Sequence, residues 1–169
     1  MYVYIPLANC QTVDEEVRNL LQKSPLIDGV WEHPTKEFYP KWDCKRYKAI
    51  ADNNRDIFEL AIKVNDKFFV LCNSNAKMLK YIPHLEFCHE YITSHDNCGF
   101  VSYSPMKTKR SPHHVCIGFG IVRTEAAKVV KFDITNKPCN CRCLAIDMRQ
   151  KGWEVSYVSK DIRIKKRSV

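Results

Sequence analysis

From Gly99 onward the chain is a succession of short apolar segments joined by connections that look too brief for a crossover helix, and this most limits its fold. Strands are expected at 99–104, 114–123, 128–134, 141–147, 153–158 and 161–166, with Gln150-Lys151-Gly152 as one of the turns between them. Parallel neighbours need a dozen or more connecting residues, so the spacing predicts a mainly antiparallel sheet.

Earlier in the chain, Thr12 and Glu15 have the spacing of a capping box, and Val13, Val17, Leu20 and Leu21 follow at helical intervals until Ser24-Pro25. Residues 26–48 are irregular, interrupted by Gly29, Pro34 and Pro40. A β-hairpin is expected next. Phe58, Leu60, Ile62 and Val64 alternate on one strand and Phe68, Val70 and Cys72 on the other, around Asn65-Asp66. A helical or mixed segment from about 76 to 91 is broken at Pro83. The expected fold is α+β. A single domain spans 1–169, with a mainly antiparallel sheet in its C-terminal half, an N-terminal helix, and one or two short helices on one face; a basic tail at 163–169 is left to fray.

Met1–Leu7 is apolar but short and lacks a basic leader, so it reads as an opening strand rather than a signal peptide. No apolar run approaches the roughly 20 residues of a membrane span. A cytoplasmic or nuclear protein without a membrane partner is expected. The nine cysteines are an odd number and are read as reduced.

The net charge of +8 points to an acidic partner. Rings and cations interleave at Trp31, Phe38, Tyr39, Lys41, Trp42, Lys45, Arg46 and Lys48, with further cations at Lys107, Lys109 and Arg110 and at Lys165, Lys166 and Arg167. Rings stack on unpaired bases and cations neutralise phosphates, so the leading expectation is a non-enzymatic module binding single-stranded RNA or DNA. The alternative is a protein–protein adaptor or regulatory factor, a viral, host-directed one included, using the same rings on an acidic protein. Bland readings remain for each part: core rings, a solvated loop and a frayed tail.

Cys88, His95 and Cys98, with His84 or His89 as fourth ligand, are candidates to hold a structural zinc, which favours thiolate and imidazole. Their spacing matches no standard finger, and buried thiols with satisfied histidines are the competing reading. Cys139, Cys141 and Cys143 would share one face of a strand, as ligands or as ordinary packing.

A second alternative is enzymatic. The run His114–Gly120 resembles the histidine strand of papain-like thiol hydrolases, and Asn140-Cys141 resembles the Asn-Cys motif of their circularly permuted members. The resemblance implies Cys141 as nucleophile, His114 as base and Asp133 or Asp147 as the group orienting it. Gly118-Phe119-Gly120 lies in an apolar strand and does not read as a phosphate loop.

Overall fold

A computed structural model describes residues 1–7, 12–35, 39, 41, 43–103, 117–135 and 139–158. The strands are β1 (Tyr2–Pro6), β2 (Gly29–His33), β3 (Phe68–Cys72), β4 (Cys98–Tyr103), β5 (Phe119–Arg123) and β6 (Glu154–Val158). They form one six-stranded sheet in the order β2-β1-β3-β5-β4-β6. The helices are α1 (Glu15–Gln22), α2 (Cys44–Val64), α3 (Leu85–Ser94), α4 (Thr124–Ala127) and α5 (Asn140–Gln150).

The sheet is mixed rather than mainly antiparallel. β1 runs parallel to β2 and β3, and β4 runs parallel to β6; β5 alone runs against its two neighbours. Strands occupy both halves of the chain. β1 and β2 are joined through α1, as its helical spacing allows; the other crossovers run through α2 and α5, where apolar residues that alternate as in strands fold as helices.

The expected first strand of the hairpin is the end of α2. Its buried Ile50, Ala51, Ile57, Phe58 and Ala61 make a stripe at helical spacing, while Leu60, Ile62 and Val64 are only partly covered. Asp43 caps the start by accepting a hydrogen bond from the Arg46 backbone N–H at 3.0 Å. Asn65 ends the helix in the left-handed region, at φ 62°, where asparagine is tolerated.

Segment 141–147 is likewise helical, within α5. Asn140, Cys143, Leu144, Asp147 and Met148 are buried at intervals of three and four, so Cys139, Cys141 and Cys143 do not share a face. Segment 128–134 is not a strand either: α4 precedes it and no ladder includes it. Phe132 there takes φ 51° and packs edge-on against Phe58, with ring centroids 4.8 Å apart. The expected strand at 161–166, and residues 114–116 of another, lie outside the described residues.

Helices cover both faces of the sheet, not one. α1 and α3 pack through Val17, Leu21, Leu85 and Ile92 against Val3, Ile5, Val70 and Ile121. α2, α4 and α5 pack through Ile57, Phe58, Ala126 and Leu144 against Tyr4, Phe69, Leu71 and Val122. The first helix forms as expected but starts later: Asp14, not Thr12, caps it, accepting from the backbone N–H groups of Glu16 and Val17. Around Pro83 a 3-10 turn, Ile82–His84, leads into α3. No helix among the described residues is long and apolar enough to cross a membrane.

One buried cation ties the end of α3 and the start of β4 to β5. Arg123, 7% exposed, donates to the carbonyls of Cys98 (2.8 Å), Ile92 (2.6 Å) and His95 (3.0 Å). It thereby satisfies carbonyls at the end of α3 that no helical N–H can reach. Arg123→Ala should destabilise the fold by about 2–4 kcal/mol, since hydrogen bonds to charged groups contribute about 1.5–3 kcal/mol each and are not additive; urea unfolding measures this. Asn65→Gly should be nearly neutral, whereas Asn65→Val should cost about 1–2 kcal/mol in the same assay, because a branched residue is strained at that φ.

Candidate functional site at the carboxyl edge of the sheet

β1, β2, β3, β4 and β6 all point the same way, so their carboxyl ends define one edge of the sheet. Strand order reverses between β1 and β3: the chain leaves β1 toward β2 on one side and leaves β3 toward β4 on the other. In open α/β sheets the crevice at such a reversal is the usual ligand position.

A cavity of about 200 Å³ opens at this place. Pro6 and Leu71 contribute the ends of β1 and β3, followed by Asn73; Ile117 and Gly118 come from the approach to β5. Tyr47, Ile50 and Asn54 of α2 form one wall, and Cys139, Asn140 and Cys141 at the start of α5 form another. No charged side chain lines it among the described residues. Asn140 is 4% exposed and its carboxamide oxygen has no hydrogen-bond partner.

A larger hollow, of about 590 Å³, lies against α2 and the segment after β2, lined in part by Tyr39, Lys45, Lys48, Asp52 and Arg55. Its cations are largely spoken for. Lys48 and Arg55 both pair with Asp52, at 2.7 and 3.0 Å. Partial burial pushes the Asp52 carboxyl up, but the hydrogen bonds and charge of Lys48, then of Arg55, hold it below its ordinary value. Its contribution to stability is therefore present above the ordinary carboxylate range and lost as pH falls through the lowered value. In an NMR titration Lys48→Ala should move the Asp52 carboxyl back up.

The expected nucleic-acid residues divide. Trp31 is 45% exposed on the edge strand β2, its ring 5.9 Å from Tyr2 and 6.2 Å from Tyr4. Lys41, Lys45 and Lys48 are exposed and Tyr39 is half-buried. Arg46 departs from the expectation of a surface cation: on the inner side of α2, it is only 7% exposed. Phe38, Trp42, Lys107, Lys109, Arg110, Lys165, Lys166 and Arg167 lie outside the described residues.

The candidate zinc residues are held in other ways. Cys88 and Cys98 are buried thiols close enough to influence each other, each pushed up to about 12, chiefly by burial. The His95 ring stacks on Tyr91 with centroids 4.0 Å apart, and its Nδ1 lies 2.9 Å from the Tyr91 carbonyl. His84 stacks on Tyr103 at 3.7 Å. Among the described residues no three His, Cys, Asp or Glu side chains are gathered to hold an ion.

Of the hydrolase residues, Cys141 is in the first turn of α5 and lines the smaller cavity. The Asp133 carboxylate is exposed and accepts from the Thr135 N–H at 2.9 Å, while its carbonyl accepts from the Cys143 thiol at 3.3 Å. Residues two apart on a helix point in different directions, so Asp133 sits beside Cys143 rather than Cys141. The buried Asp147 accepts from the Lys131 N–H at 2.9 Å. His114 lies outside the described residues. Gly120 serves packing, as a Cβ there would stand 2.6 Å from the Phe100 ring.

Charge is unevenly shared along the chain. Of 27 Lys and Arg and 19 Asp and Glu, ten of the former and two of the latter fall outside the described residues, leaving seventeen of each within them. The cationic excess belongs to 104–116, 136–138 and 159–169. Their described flanks are the end of β4, the approach to β5, the start of α5 and the end of β6, all on the carboxyl edge.

No protein-family model matches the chain, and no curated protein sequence does. The fold is similar to that in the crystal structure of A197 from STIV, with a TM-score of 0.54 and 9% sequence identity over 99% of this chain and 94% of that one. At that identity the likeness is one of fold alone: a single α/β domain built on a mixed six-stranded sheet.

Proposed function

We propose that the protein binds single-stranded nucleic acid along the carboxyl edge of its sheet. The carrying observation is the position of the basic clusters: 104–116 has a net charge of +3 and 159–169 of +4, and they follow β4 and β6, which both end at this edge. A polyanion gains most where counterions are displaced from closely spaced phosphates, so gathered cations act together where scattered ones do not. The segment that carries Tyr39 and Lys41 also begins at this edge, following β2. An unpaired strand offers both groups a partner, phosphates for the cations and base faces for the rings.

The test is the affinity for a fluorescein-labelled single-stranded oligonucleotide as a function of salt. Binding should weaken steeply, and the triple variant Lys107→Glu, Lys109→Glu, Arg110→Glu should lower the slope of log K against log salt by about 2, at roughly 0.7 for each phosphate no longer neutralised. An affinity indifferent to salt in the unaltered chain would reject the reading.

A further inference from the structure

The smaller carboxyl-edge cavity has a lining unlike the basic clusters of the sequence, and we propose that it seats a single unstacked nucleobase, read through the carboxamides of Asn54, Asn73 and Asn140. This rests on the nucleic-acid reading above and specifies what lies at its centre.

Size comes first. At about 200 Å³ the cavity falls below the roughly 300–1,000 Å³ of clefts that enclose a drug-sized ligand. It takes one ring system, and the remainder of the ligand must lie outside. Charge comes second. With no Lys, Arg, Asp or Glu in its described lining, the cavity does not suit a phosphate or a carboxylate, and the occupant is neutral. Shape and polarity come third. Ile50, Leu71 and Ile117 supply apolar surface, and Tyr47 supplies a half-buried ring. Flat heterocycles are recognised by such surfaces on their faces and by hydrogen bonds on their edges.

The hydrogen-bonding groups are present. Asn54 is 3% exposed and Asn140 4%, both belong to the lining, and the carboxamide oxygen of Asn140 is buried without a hydrogen-bond partner. Burying a carboxamide without a partner costs free energy, about 1–3 kcal/mol for each unsatisfied group. The Asn140 oxygen is such a group, and an occupant of the cavity that this residue lines would satisfy it. Each carboxamide offers a donor beside an acceptor, the pattern that matches the edge of a base in a bidentate pair. A purely apolar occupant would leave the lining carboxamides without partners. A sugar would satisfy them but would waste the apolar walls.

The arrangement also divides the work. The phosphates remain outside, on the edge where the cationic segments join the body, and the cavity supplies base preference. Affinity and specificity are then separable by substitution.

The experiment uses the full chain in two arms. Fluorescence anisotropy measures binding of ten-nucleotide rA, rC and rU homopolymers, and calorimetry measures binding of the four nucleoside monophosphates. The unaltered protein should prefer one base by roughly tenfold or more. Asn140→Ala and Asn54→Ala should bring the affinities for different bases together while leaving the salt slope unchanged. Asn73→Ala, at a half-buried position, provides the same test where the buried variants melt early. Preference in both arms supports the cavity and assigns it to free nucleotides as well as strands; preference in the homopolymers alone supports it as a site for a base within a strand. Salt-sensitive binding without base preference, or preference kept by folded variants, overturns the cavity and spares the polyanion reading. No binding in either arm overturns both.

Discussion

β3 has five residues, Phe68 to Cys72, and none of them carries a polar or exposed side chain. A strand of this kind must be covered on both faces, because leaving either open would expose a row of large apolar groups to water. The rest of the architecture answers that requirement. β1 and β5 take its two hydrogen-bonding edges, one parallel and one antiparallel. Phe68, Val70 and Cys72 face the layer of α1 and α3, while Phe69 and Leu71 face the layer of α2 and α5. Fully burying each such side chain is worth roughly 1.5–3 kcal/mol, so the strand acts as the common floor of both cores.

The same arrangement creates the candidate site. Because β1 and β3 are adjacent and parallel yet send the chain to opposite sides, their ends part and leave a crevice that helices approach from above. α2 and α5 both begin at this edge, at Cys44 and Asn140, so the first three turns of α2 and the first turn of α5 become its walls. The antiparallel β5 completes it from the other direction, bringing Ile117 and Gly118 to the same place. The residues meet although they lie far apart in the chain.

Several elements are legible in the sequence and others are not, for identifiable reasons. α1 carries its apolar residues at helical spacing, and β3, β4 and β6 fall within or close to segments that read as strands. The segments that mislead are those that satisfy two periods at once. Phe58, Leu60, Ile62 and Val64 alternate, but Ile50, Ala51, Ile57, Phe58 and Ala61 form a longer helical stripe, and the longer pattern prevails because it buries more surface. In α5 the cysteines alternate, whereas Asn140, Cys143, Leu144, Asp147 and Met148 make the buried stripe. With two expected strands folded as helices, the connections are long enough for crossovers, and nothing then requires an antiparallel sheet. Asn140 carries no sequence signal, since a buried, unsatisfied asparagine looks like any other.

The amino-acid sequence by itself determined the charge excess and its basic clusters, the helical spacing of the first helix, and the apolar segments that become several of the strands. These depend on neighbours along the chain, through local capping, periodicity and composition. Only the tertiary structure decided that the sheet is mixed, that both faces are covered, and that asparagines from three separate segments border one small cavity. Those outcomes depend on contacts between residues distant in sequence, whose energies exist only once the layers have packed.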